Sequence, residues 1–242
     1  LPGVEALCHE WGVKLILDEV QTGLGRTGRI WCAEHDGLEA DALVTGKGLG
    51  GGVYPMSAVL LTPELHAFFD PSPFLHVTSF GGAELGCVAA LAVLDIVGES
   101  GFLDRVLAIS DRLDDAFEPL PFELRRLGLL MAFKFADEGS AMTATTDLFD
   151  AGVFVVWANN DRSAVQFLPP LVITDDEVEH RDRSHAAALG AAERRDVQER
   201  VRVEEGVQLR REEHRGHRVD AAAEPLAGDQ RVGLEAVMLG AP

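Results

Sequence analysis

The chain predicts an α/β fold running into a smaller α+β module, and three observations carry that reading. Two short apolar runs, Val13-Lys14-Leu15-Ile16-Leu17 and Ala42-Leu43-Val44-Thr45, stop at charged or glycine-rich turns, as buried parallel strands do. Helix-like segments alternate with such runs from residue 1 to about 65, the strand–helix–strand grammar of a mostly parallel sheet. After residue 117 the order changes to strand, helix, strand, strand, which is α+β.

The elements follow in order. Residues 4–11 read as a helix leading into a strand over 13–18, and the loop 21–29 is rich in Gly and Arg. A short helix at 31–36 precedes a strand at 42–45, the glycine loop 46–52 and a strand at 56–61. Thr62-Pro63-Glu64 opens a short helix over 63–69, with proline at the first helical position. Residues 70–82, with Pro, Ser and Gly, read as a loop. A long helix over 83–98 repeats Leu85, Val88, Ala89, Ala92, Val93 and Ile96 at helical spacing. A second, over 102–117, places Phe102, Val106, Ile109, Leu113 and Phe117 on one face. Then come a strand over 127–135, a helix over 143–150, and strands at 153–157 and 165–168. From residue 181 the chain lacks Phe, Trp, Tyr, Ile and Lys but is rich in Arg, so it has little to pack with. It reads as a charged tail, disordered or translated out of frame. The expected divisions are therefore 1–82, 83–180 and 181–242.

Composition narrows the partners. The net charge of −19 argues against nucleic acid or an anionic membrane surface. No apolar run reaches the ~18 residues of a membrane span. Cys8, Cys32 and Cys87 form no CxxC, are odd in number and read as reduced, buried thiols of a cytoplasmic protein. The chain begins mid-pattern at Leu1 and reads as lacking its natural N-terminus.

The chemistry lies at two strand ends. Asp18 closes the first apolar run and Lys47 follows the second, so an acid and a lysine are both delivered to the ligand-bearing edge of one sheet. That pairing suits a cofactor held as a Schiff base on lysine and tuned by a carboxylate at its ring nitrogen. Lys47 is one of only three lysines and sits in a glycine-walled turn, which favours function over a surface role. Gly46-Lys47-Gly48-Leu49-Gly50-Gly51 also matches GxGxxG, but a dinucleotide site needs a helix to start there, and Val53-Tyr54-Pro55 follows instead.

The segment Leu17-Asp18-Glu19-Val20-Gln21-Thr22-Gly23-Leu24-Gly25-Arg26-Thr27-Gly28-Arg29, with Asp41 and Gly46-Lys47-Gly48, resembles the class III (ω-type) aminotransferases of fold type I. Ser79-Phe80-Gly81-Gly82 and Leu168-Pro169-Pro170-Leu171 are similar to two further motifs of that family, and the four occur in its order across residues 1–180. The resemblance implies pyridoxal 5'-phosphate, an amino donor, a keto acceptor, and a homodimer sharing its site across the interface. It makes residues 1–82 part of the cofactor-binding large domain. It makes Lys47 the Schiff-base lysine and proton carrier, and Asp18 the partner of the pyridine nitrogen. Val20 would pack on the ring, Gln21 would bond its phenolic oxygen, and Ser79 or Thr78 would bind phosphate. Glu19 and Arg26 read as structural. Gln166 stands where the family often has a carboxylate-clamping arginine, so the substrate is an amine or is held otherwise, with Arg162 as a substitute. The other reading is a catalytically silent piece or interaction module of the same fold.

Overall fold

The structure, a computed structural model, describes residues 1–77, 79, 81–118 and 122–179. Helix α1 (Pro2–Trp11) starts on a proline and ends at Gly12, whose left-handed φ of 63° lets its N–H and that of Val13 return to the last turn. Strand β1 (Ile16–Asp18) then pairs in parallel with β2 (Ala42–Thr45), and β2 pairs antiparallel with β3 (Ala58–Leu61). The described sheet therefore has the order β1-β2-β3 with one parallel and one antiparallel pairing, and "mostly parallel" is not what these residues form. The twelve residues 46–57 between β2 and β3 form glycine-rich turns rather than a crossover helix, so β3 returns antiparallel. The short helix expected at 31–36 is one 3₁₀ turn at Cys32–His35, and a strand expected from 56 begins at 58.

Beyond α2 (Pro63–His66), capped by the Thr62 hydroxyl, helix α3 (Glu84–Val97) packs differently from its apolar pattern. Leu85 and Val88 are exposed, at 71% and 65%, whereas Gly86, Ala90 and Val97 are buried. Small size decides this face: a Cβ on Gly86 would stand 3.1 Å from the Tyr54 ring and 3.2 Å from Met56 sulfur. Helix α4 (Phe102–Phe117) behaves as its spacing predicts, with Val106, Ile109, Leu113 and Phe117 all at most 2% exposed.

The second sheet is antiparallel, in the order β4-β5-β7-β6. The single strand expected over 127–135 is a hairpin of β4 (Glu123–Leu127) and β5 (Leu130–Lys134). Its turn needs Gly128 at φ +57°, where a Cβ would lie 2.5 Å from the Thr27 carbonyl carbon. Strand β4 escaped the sequence reading because Glu123, Arg125 and Arg126 make it a charged edge rather than an apolar run. Helix α5 (Glu138–Asp150) begins earlier than expected because Asp137 caps it, accepting from the Ser140 N–H at 2.8 Å. Strands β6 (Val156–Ala158) and β7 (Asp161–Phe167) complete the sheet. Its core holds Phe117, Phe133 and Phe167, with Phe117 edge-on to the other two at 5.1 and 5.9 Å.

The described residues all belong to one compact unit. The division into domains at 82 remains a proposal, and the reading of 181–242 lies outside the described residues. Among the described residues no single helix is long and apolar enough to cross a membrane. The three cysteines are free thiols, half-buried rather than buried.

Candidate active site

The parallel pair β1–β2 brings the two strand ends together. Asp18 is in register with Val44, three residues before Lys47. Past the strands the ladder continues through the turns: Glu19 N–H donates to Val44 O at 2.7 Å, and Lys47 N–H to Val20 O at 3.1 Å. The turn after β1 and the turn after β2 are thus stitched side by side at the carboxyl edge, where open α/β sheets bind ligands.

Lys47 is exposed, and its Nζ donates to Gln21 Oε1 at 2.6 Å. Gln21 in turn donates from Nε2 to Gln166 Oε1 at 2.9 Å. Three of the residues singled out from sequence therefore form one hydrogen-bonded line, joining positions 145 apart in the chain. Asp18 is also exposed, and its Oδ1 accepts the Val20 N–H at 3.0 Å. It caps its own turn with one oxygen, while Oδ2 has no hydrogen-bond partner among the described residues. Val20 is half-buried, with Cγ1 3.3 Å from the place a Cβ on Gly46 would take, so the turn before the lysine fits closely only as glycine.

Other expected residues lie apart. Ser79 is exposed on a turn ahead of α3, and no hydrogen bond among the described residues joins it to Lys47, Asp18 or Gln21. Thr78 lies outside the described residues. Arg162 pairs with Glu138 at 2.8 Å, at the far end of β7 from Gln166.

Two residues hold the site in place. Glu19 is only 3% exposed and accepts from the Ala33 N–H at 2.7 Å and from the Thr22 hydroxyl. It ties the site turn to the 3₁₀ turn at Cys32–His35, as a structural acid should. Burial, then the Glu19 charge beside it, pushes the Cys32 thiol above its usual range. Arg26 donates to Pro169 O at 2.6 Å and Leu129 O at 3.2 Å, and its own carbonyl accepts from the Leu129 N–H at 2.9 Å. Burial lowers the basicity of its guanidinium, which nonetheless stays charged. Its loop thus fastens the first sheet to the β4–β5 turn and the Pro169-Pro170 turn. The sequence named Arg26 structural but held no signal for these carbonyl partners.

An open cavity of about 1210 Å³ lies on the β2–β3 side, lined by Tyr54, Met56, Leu65, Phe68 and Phe69. Lys47, Asp18, Gln21 and Gln166 do not line it, while Gly81 and Gly82 of the Ser79–Gly82 motif do.

A mixed α/β sheet thus presents a lysine and a carboxylate at neighbouring parallel strand ends. The profile of the class-III aminotransferases matches residues 1–184, and the chain belongs to that family. It is 41% identical over 206 residues to an uncharacterized aminotransferase of Archaeoglobus fulgidus, covering 82% of this chain and 49% of that protein. Among solved structures it is similar to the ornithine aminotransferase of Toxoplasma gondii. The TM-score is 0.71 at 31% identity, covering 78% of this chain and 46% of that one. It is similar also to the N-acetylornithine aminotransferase of Stenotrophomonas maltophilia. There the TM-score is 0.66 at 28% identity, over 78% and 50% of the two chains. The chain spans about half the length of these relatives.

The family depends on pyridoxal phosphate, and the residues present fit that group in part. The exposed Lys47 amine could join an aldehyde, the uncommitted Asp18 Oδ2 could accept from a protonated ring nitrogen, and Gly46 keeps the turn beside them closely packed on Val20. The Thr45 hydroxyl, buried with no partner among the described residues, lies two residues before the lysine.

Proposed function

We propose that the protein is a transaminase, moving an amino group between an amine or amino acid and a keto acid or aldehyde. The observation that carries this is the stitched pair of turns holding Asp18 and Lys47 at adjacent parallel strand ends. Pyridoxal phosphate, when bound, supplies an aldehyde for Schiff-base formation and a ring that accepts electrons from the substrate carbon. Lys47 would hold the cofactor through its amine, and the same amine, when free, would take the proton from the substrate carbon as a general base and return it as an acid. Asp18 keeps the ring nitrogen protonated, because a neighbouring carboxylate favours the charged form of a base. Gln21 keeps one amide hydrogen for the phenolic oxygen after serving Gln166. Val20 would pack on the ring, and Ser79, or Thr78 in its place, would bind phosphate across a homodimer interface. Gln166 lies beside the substrate rather than clamping a carboxylate as an arginine would. The acidic charge and reduced thiols suit the cytoplasm.

The test is a half-reaction. The protein is incubated with pyridoxal phosphate and a panel of amines and amino acids, and pyridoxamine phosphate is measured by mass spectrometry. Formation with at least one donor, abolished in Lys47→Ala, supports the reading. No pyridoxamine phosphate with any donor rejects it for this chain.

A further inference from the structure

We propose that Gln166 is a positioning residue for Lys47, acting through Gln21. The polarity of the hydrogen-bonded line dictates it. A lysine ammonium donates and never accepts, so the Gln21 atom that meets it at 2.6 Å is the carbonyl oxygen. That choice turns Gln21 Nε2 outward, where it needs an acceptor. Gln166 Oε1 supplies one at 2.9 Å, so the orientation of Gln166 is fixed as well. Removing the acceptor leaves the Gln21 amide free to rotate or flip, and a flipped amide would point N–H at the ammonium.

The two glutamines differ in support. Gln21 sits in the turn after β1, and Lys47 in the glycine turn after β2. Gln166 sits on β7, an interior strand paired on both sides: Ala132 on β5 and Val156 on β6 stand opposite it. The line therefore transfers the rigidity of the four-stranded sheet to an exposed lysine on a flexible stem. A side chain held on a central strand places a site more accurately than one on a loop. This deepens the reading of Lys47 as the reactive lysine, but its test needs no bound cofactor.

The experiment is competitive acylation of the cofactor-free chain by a limiting amine reagent, with Lys14 and Lys134 as internal references, each site quantified by mass spectrometry. Lys14, held by Asp41 and Glu64, is the distant reference. Lys134, held by Asp161, stands on β5 two positions from Ala132, the partner of Gln166, and reports any local disturbance of that sheet. A hydrogen bond on the ammonium slows its acylation, so Gln166→Met raises labelling at Lys47 by roughly threefold or more. Gln166→Glu, which accepts but cannot donate, restores parental labelling to within about twofold. Gln21→Met gives a rise at least as large, and the double variant gives no more than Gln21→Met alone, as expected when one residue acts through the other. Unchanged Lys47 labelling in Gln166→Met would overturn the proposal. So would failure of Gln166→Glu to restore it, additive effects of the two methionines, or a parallel rise at all three lysines. Because no cofactor is present, these outcomes are independent of whether the transaminase reading survives.

Discussion

Gly50 offers a sharp test of how the lysine turn is held. A Cβ at Gly50 would stand 1.6 Å from Tyr54 O and 2.8 Å from Tyr54 C. An ordinary carbon–oxygen contact is near 3.4 Å, so the backbone must open by about 1.8 Å to admit one methyl group. It cannot open cheaply, because Val53 and Tyr54 N–H groups both donate to Gly50 O, at 3.0 and 3.2 Å. Overpacking plus the strain or loss of those bonds puts Gly50→Ala at about 3 kcal/mol of destabilisation or more. Gly52 is the control in the same turn. Its φ is +75° but nothing lies within 4 Å of its Cβ position, so Gly52→Ala costs only the left-handed penalty of about 1–2 kcal/mol. For a chain of this size each kcal/mol is worth roughly 2–4 °C, so Gly50→Ala should melt about 6–12 °C below the parent and clearly below Gly52→Ala. Thermal unfolding by circular dichroism measures it. Equal melting temperatures for the two variants, or a Gly50→Ala variant within about a degree of the parent, would refute the packing argument.

Two further predictions address the second sheet. Phe133 is fully buried against Phe117, Phe122 and Phe167, so Phe133→Ala should cost about 3–5 kcal/mol in chemical denaturation, and a loss under 1 kcal/mol would contradict the described core. The Lys134 ammonium, then the Ser163 hydroxyl, hold the Asp161 carboxylate at about 2, below its ordinary 3.8. A carboxylate held low adds stability above its unfolded value and loses it as pH falls through its folded one. Asp161→Asn should therefore melt below the parent at about pH 6, with the gap closing between about pH 4 and pH 2; a gap independent of pH would contradict the pairing.

What the sequence revealed, and what it concealed, follows physical lines. Strand β2 and helix α4 matched residue for residue, because one is a plain apolar run and the other a regular apolar stripe. The placing of Asp18 and Lys47 at one sheet edge was legible for the same reason: two short strands end just before them. Strand β4 and the start of β7 were not, since charged edges and the Asp161-Arg162-Ser163 opening carry no apolar signal. The buried side of α3 was misleading. Large apolar residues advertise a face, but Gly86 and Ala90 are what let the helix approach Tyr54 and Met56. The line from Lys47 through Gln21 to Gln166 was the least legible. Each residue was a candidate by itself, yet nothing local tells a glutamine which partner it will find 145 residues away.

The central claim is that Lys47, supported by Asp18, is the lysine that takes up pyridoxal phosphate. The direct measurement is to mix the chain with pyridoxal phosphate, reduce with borohydride, and locate the modified residue by mass spectrometry. The account predicts modification concentrated at Lys47 over Lys14 and Lys134, and its loss in Asp18→Ala. Equal modification of the three lysines, or none at Lys47, would contradict it.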